Sequence, residues 1–174
     1  FSEDDLPHFR TLHSLAFRTL GIKKDQVMQK RHYEDLGRKE NLFLDYNDYD
    51  EEETGLFTTK SDYLRIINLA KLRNISIDRQ YNMKEHNQDV EYGTLIHLAN
   101  ELERYKKEYN LIDYNDMILK FIQKDMSPNF DVVFIDEAQD LSLMQWSMVK
   151  NIWEKTVDSY IAGDDDQAIF RWAG

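Results

Sequence analysis

The chain has 174 residues, of which 41 % are hydrophobic and 32 % charged. That suits one ordinary domain, or one domain carrying an insertion, with a core of its own. No stretch approaches the roughly 18 apolar residues of a membrane span, and the six glycines, two prolines and 13 % aromatics argue against disordered, collagen-like and linker classes. The absence of cysteine removes disulfides, cysteine-rich zinc sites and thiol catalysis, and leaves the redox compartment open. A net charge of -11 argues at face value against nucleic-acid binding. Residues 8–39 run the other way, with eight Lys/Arg against three Asp/Glu. From charge alone, a solvated helical surface explains that excess better than a polyanion partner does. Phe1 at one end and Gly174 at the other, the latter following an aromatic-basic cluster, read as cuts in a longer protein.

In chain order, Phe9, Leu12, Ala16 and Leu20 form a helical stripe. Lys23 to Leu36 is predicted as a second helix with a basic outer face. Asp45 to Glu53 holds six acids in nine positions and is predicted as an exposed loop. A calcium loop is excluded there, because no glycine stands at the required sixth position. A helix is predicted from Ser61 to Asn74 with Tyr63, Ile66, Ile67 and Ala70 inward, and residues 75–92 are polar and irregular. Thr94 to Tyr109 carries Leu95, Leu98, Leu102, Tyr105 and Tyr109 as one helical seam. Asp113 caps a further helix bearing Met117, Ile118, Phe121 and Ile122.

The texture changes at Ser127-Pro128. FDVVFI at 130–135 is a nearly continuous apolar, β-branched run, the pattern of a strand buried on both faces. Ser142 and Gln145 make a capping box for a helix with Leu143, Trp146, Val149 and Trp153 inside. Tyr160 to Ala162 reads as a second buried strand ending at Gly163. Strand, helix, strand implies a parallel pair joined by a right-handed crossover.

Open parallel sheets bind ligands beyond the carboxyl ends of their strands. Both predicted strands end in acids: Asp136-Glu137-Ala138-Gln139-Asp140 after the first, Gly163-Asp164-Asp165-Asp166-Gln167 after the second. A strand running into Asp-Glu is the arrangement nucleotide hydrolases use, one carboxylate holding Mg²⁺ and the next orienting or deprotonating the attacking water. The plainer alternative is that such acids cap the next helix, with Asp140 placed to do so. Two acid-bearing ends on neighbouring strands, the second with a neutral amide at Gln167, favour the nucleotide site. Phe170-Arg171-Trp172 follows, and aromatics around an arginine suit base stacking, although Phe170 alone reads more readily as core and Trp172 is the better candidate for exposure.

These residues carry a family resemblance. DEAQD and IAGDDDQAIFRWAG resemble motifs II and III of the UvrD/Rep/PcrA-like superfamily 1 DNA helicases. TLHSLAFRTL (Thr11 to Leu20) resembles the TFHSLA-type motif that contacts single-stranded DNA, and LIDYNDMI (Leu111 to Ile118) resembles the DFDDLI-type motif before the Walker B strand. The four stand in the family's order and reach both ends of the chain.

The resemblance implies an α/β fold: an incomplete RecA-like parallel-sheet motor domain of the P-loop NTPase type with a mostly helical inserted subdomain. Residues 1–24 and 109–174 would belong to motor subdomain 1A and residues 25–108 to the insertion called 1B. It makes Asp136 the Mg²⁺ carboxylate, Glu137 the water-activating base, and Gln167 the γ-phosphate sensor, a cofactor-binding and catalytic residue. It makes Phe170, Arg171 and Trp172 part of the base-stacking platform, with Thr11, His13 and Ser14 contacting the strand. A lone helical histidine is more often structural, so the role of His13 rests on its place in Thr-x-His-Ser. The implied cofactors are ATP and Mg²⁺, the partners single-stranded DNA and duplex junctions, and the location cytoplasmic.

Three departures stand out. Ala173 occupies a position where many relatives have arginine, and Phe170 replaces the commoner tyrosine. None of the six glycines lies in a GxxxxGK(S/T) sequence, so the phosphate loop is expected upstream and the second motor domain, with its arginine finger, downstream. The expected activity of the intact protein is ATP-driven 3′ to 5′ translocation and duplex unwinding in repair, replication or recombination, with this segment inactive alone. The alternatives are a helicase-nuclease subunit, a non-catalytic DNA-binding or interaction module with degenerate motor motifs, and a stand-alone metal-dependent nuclease, which lacks a second clustered ligand set.

Overall fold

The computed structural model describes residues 9–46, 59–87 and 89–164. Their order is α1 (Leu12–Thr19), a 3-10 turn (Lys24–Gln26), α2 (Lys30–Glu40), α3 (Asp62–Leu72), α4 (Ile77–Asn82), α5 (Tyr92–Glu108), α6 (Tyr114–Lys124), β1 (Phe130–Ile135), a 3-10 turn (Ala138–Asp140), α7 (Leu143–Trp153) and β2 (Thr156–Ile161). Among the described residues no helix is long and apolar enough to cross a membrane.

Helices α1, α3, α4, α6 and α7 begin where a side-chain oxygen takes an orphan backbone donor. Thr11 Oγ1 accepts from the Ser14 N–H at 3.2 Å, and Asp113 Oδ1 from that of Asp116 at 2.7 Å. Ser142 and Gln145 form the predicted capping box, with Gln145 Oε1 accepting the Ser142 N–H at 2.8 Å.

Apolar residues sort into two clusters. One gathers Tyr33 and Leu36 of α2, Leu64 and Ile67 of α3, and Leu95, Leu98 and Leu102 of α5. The other gathers Ala16 of α1, Met117, Ile118 and Phe121 of α6, and Met144, Met148 and Ile152 of α7, with Phe130 and Val133 of β1 packed against it. A buried ionic knot joins α3, α5 and α6: Lys71 and Lys106 both reach Asp113, Asp116 and Glu103, at 2.6–3.3 Å.

Several expectations are corrected. The helix from Lys23 to Leu36 is broken at Val27-Met28, where the chain is extended and bridges Ile112: the Met28 N–H donates to the Ile112 carbonyl at 2.9 Å, and the Ile112 N–H to that of Gln26 at 2.8 Å. A distant backbone partner thus outweighs local helical preference. Phe9 and Tyr109, both assigned to inward stripes, are exposed. The Tyr109 ring instead receives the Lys39 ammonium 4.9 Å from its centroid. The segment 75–92 contains α4, capped by Ser76 and anchored by buried Gln80, which accepts from Arg73 at 3.0 Å. At the start of the acidic run Tyr46 is core, stacked 4.5 Å from Tyr33. Asp45 receives the N–H groups of Lys60 and Ser61 ahead of α3; residues 47–53 lie outside the described residues.

Helix α7 turns a different face inward than predicted. Met144, Met148, Val149 and Ile152 are buried, whereas Leu143 and Trp153 are exposed and, with Trp146, Arg73 and Asn74, line a groove of about 730 Å³. Both strands exist and pair in parallel, but neither is buried on both faces. Phe134 is 76 % and Val157 78 % exposed. Among the described residues the sheet has two strands, too few to cover its own faces and edges.

Candidate active site

The parallel register sets Phe130 beside Thr156 and Ile135 beside Ile161, so the two strands end level. The ladder continues one step beyond them: the Ala162 N–H donates to the Ile135 carbonyl at 2.8 Å, and the Ala138 N–H to the Ala162 carbonyl at 3.0 Å. Asp136 and Glu137 are thereby held against the exit of β2. Both side chains are exposed.

Glu137 turns the chain sharply, with φ 51° in the left-handed region. For a residue with a Cβ this costs about 1–2 kcal/mol. The Glu137 N–H is taken by Asp136 Oδ1 at 3.0 Å. The turn delivers Ala138–Asp140 as a 3-10 turn, and α7 then starts at its own cap, Ser142. The alternative in which the strand-terminal acids cap the next helix is therefore not realised: Ser142 does that work.

A residue not singled out in the sequence closes the site. Gln139 Nε2 donates to Glu137 Oε2 at 2.6 Å, and Gln139 Oε1 accepts the Asp164 N–H at 3.0 Å. Only one orientation of the amide satisfies both bonds. A Cβ on Gly163 would stand 2.7 Å from Gln139 Oε1 and 3.2 Å from its backbone N, so glycine is what lets the end of β2 pass this close. The available signal was a neutral amide set between acids in DEAQD.

As a donor set, Asp136 and Glu137 are hard carboxylate oxygens. Mg²⁺ suits such ligands and needs only about one or two of them when phosphates complete its shell. Among the described residues no group of three or more His, Asp or Glu side chains is assembled for an all-protein metal cage. The residues present thus fit a magnesium ion that arrives with phosphate.

The predicted strand-contacting residues lie at the start of α1. Thr11 is exposed and Ser14 half-buried. His13 points inward at 7 % exposure, its ring edge-on to Tyr114 with centroids 5.6 Å apart. Burial pushes its imidazole down to about 4 against a smaller opposing pull from Asp113, so it is neutral at pH 7. Its Nε2 has no hydrogen-bond partner among the described residues. His13 therefore faces the core at the start of α1, while Thr11 faces solvent. Gln167, Phe170, Arg171 and Trp172 lie outside the described residues.

The described residues thus form a mixed helical domain with a small two-stranded parallel sheet, whose first strand ends in an exposed Asp-Glu pair beside the exit of the second. The match to known families is specific: residues 2–174 fit the UvrD/REP helicase N-terminal domain, and the chain belongs to that family. It is 29 % identical over 113 residues to a Mycoplasma genitalium protein named "Probable DNA helicase II homolog", covering 56 % of this chain and 16 % of that protein. It is 34 % identical over 64 residues to the ATP-dependent DNA helicase PcrA of Bacillus subtilis, covering 37 % of this chain and 8 % of the relative. With the ATP-dependent DNA helicase Rep of Escherichia coli it shares 25 % identity over 176 residues, covering 91 % of this chain and 25 % of the relative. The chain thus spans a quarter or less of the length of these three relatives.

Proposed function

We propose that this chain is the part of an ATP-dependent DNA helicase that carries the hydrolytic carboxylates and part of the single-strand track. The observation that carries the reading is the Asp136-Glu137 pair, exposed at the carboxyl end of β1 and tied to the exit of β2. Glu137 is the general base: it takes a proton from the water that attacks the γ-phosphate of ATP. Asp136 would hold Mg²⁺, which when bound offsets phosphate charge. Gln167 senses the γ-phosphate, and Thr11, Ser14, Phe170, Arg171 and Trp172 contact single-stranded DNA, while His13 faces the core at the start of α1.

The architecture we propose is an incomplete RecA-like motor, residues 1–24 and 109–174, interrupted by a helical 1B-like insertion at 25–108. The division of the core into an α2–α3–α5 cluster and an α1–α6–α7 cluster supports it. The clusters trade residues at the boundary: Leu72 packs with the motor side and Leu111 with the insertion side. The whole protein would move 3′ to 5′ on single-stranded DNA in the cytoplasm and unwind duplex junctions in repair, replication or recombination. The 174-residue segment alone is inactive in this reading, since it contains no GxxxxGK(S/T) sequence. The test is ATP turnover, with and without single-stranded DNA, by a longer protein that joins this chain to a phosphate loop. DNA-stimulated hydrolysis is expected, and a DNA-binding protein with no ATP turnover would overturn the proposal.

A further inference from the structure

Gln139 joins the exits of the two strands. Its amide is the bridge between the Glu137 carboxylate, at 2.6 Å, and the Asp164 backbone N–H, at 3.0 Å. The two ends belong to different strand exits, and Asp164 stands three positions before Gln167 in the chain. Gly163 makes this approach possible, as a Cβ there would fall 2.7 Å from Oε1 and 3.2 Å from the Gln139 backbone N. Glu137 itself is on a left-handed turn with an exposed side chain, so its own backbone does not fix where its carboxylate points.

We infer that Gln139 is a positioning residue for ATP hydrolysis, which aims the Glu137 carboxylate and ties that aim to the backbone at Gly163-Asp164. The inference rests on the reading of Glu137 as the base. An amide is the group that fits. It donates to a carboxylate with one end and accepts from an N–H with the other, at no cost in charge. A base held within hydrogen-bond reach of its water works best when its own rotamer is locked by a neighbour.

The test uses the longer protein with its phosphate loop. Gln139→Met keeps length and removes both bonds. Its kcat should fall by roughly tenfold or more, less than the roughly 10²- to 10⁴-fold that loss of the base itself costs, while the KM for ATP stays within about twofold because the phosphate contacts are untouched. Gln139→Glu keeps the acceptor for the Asp164 N–H but cannot donate to Glu137 as a carboxylate, and should likewise lower kcat with little change in KM. A residue with only a structural role would lower the melting temperature and leave kcat of the folded enzyme in place. Wild-type kcat in both Gln139→Met and Gln139→Glu overturns the inference. Glu137→Gln is measured alongside: if it retains full turnover, the base assignment fails, whereas an inactive Glu137→Gln with both Gln139 variants unaffected defeats the inference alone.

Discussion

The Lys106 ammonium lies 2.8 Å from Asp113 Oδ2 although both side chains are almost wholly buried. Asp113 is the cap of α6, Lys106 belongs to α5, and Lys71 of α3 reaches the same carboxylate oxygen at 3.1 Å. Burial by itself would raise the Asp113 carboxyl, but the two ammoniums outweigh it and hold the group well below the usual carboxylate range. The knot therefore fastens α3 and α5 to α6, the helix that precedes β1.

Removing one member of a buried, hydrogen-bonded ion pair costs about 3–5 kcal/mol. Asp113→Ala should thus lower thermal stability sharply, since it also removes the α6 cap. Asp113→Asn can still cap and isolates the loss of charge. We expect both to lower the melting temperature, with Asn the milder, as followed by calorimetry. Parent-like melting of both variants would show that the knot adds nothing.

His13 supplies an acid-sensitive element. Its pKa falls from 6.5 towards about 4 on folding, so the folded state favours neutral imidazole. That contribution is complete above the unfolded value and is lost as pH drops through the window between 6.5 and 4. In total it amounts to roughly 3 kcal/mol. The Asp113 contribution is lost only at lower pH, below the ordinary carboxylate value. His13→Gln should flatten the dependence of unfolding free energy on pH between 6.5 and 4. An unchanged slope in urea titrations would place the titrating group elsewhere.

The seam of Leu95, Leu98 and Leu102 and the Ser142/Gln145 box are local signals, and both elements formed where predicted. The break at Val27 depends on Ile112, far along the chain, so local periodicity could not reveal it. Helix α7 is apolar on more than one side, and its stripe of Leu143, Trp146 and Trp153 matches helical spacing as well as the buried stripe of Met144, Met148 and Ile152 does. Only packing against α6 decides between them. The apolar run at 130–135 matches β1 but not its exposure, and Tyr160 to Ala162 covers only the end of β2, which begins at Thr156. At the site, Asp136 and Glu137 were legible from the strand-to-acid transition. The role of Gln139 was not, because it needs the parallel register that brings Asp164 beside it.

A third prediction concerns the 174-residue chain by itself. A ligand at a hundred times its dissociation constant stabilises a fold by about 2.7 kcal/mol. Without backbone donors and a lysine from a phosphate loop, Asp136 and Glu137 are a poor seat for a polyanion. Millimolar Mg-ATP should leave the melting temperature unmoved in differential scanning fluorimetry. A clear rise, abolished by Asp136→Ala, would mean that the nucleotide site is complete in this chain.

A fourth concerns the DNA track. One base stacked on an aromatic ring contributes about 1–3 kcal/mol. Trp172→Ala in the longer protein should weaken single-strand binding or uncouple ATP turnover from unwinding, with little change in melting temperature. A large loss of stability at unchanged DNA affinity would assign Trp172 to the core.

The central claim is that Glu137 is the base for ATP hydrolysis in a DNA-dependent motor. Glu137→Gln preserves size and most hydrogen bonding, including a partner for Gln139, and removes only the carboxylate. Steady-state ATP turnover by the longer protein at saturating single-stranded DNA is the measurement that tests it most directly. We predict a kcat lowered by roughly 10²- to 10⁴-fold with nucleotide affinity nearly unchanged; turnover near the parent rate would contradict the account.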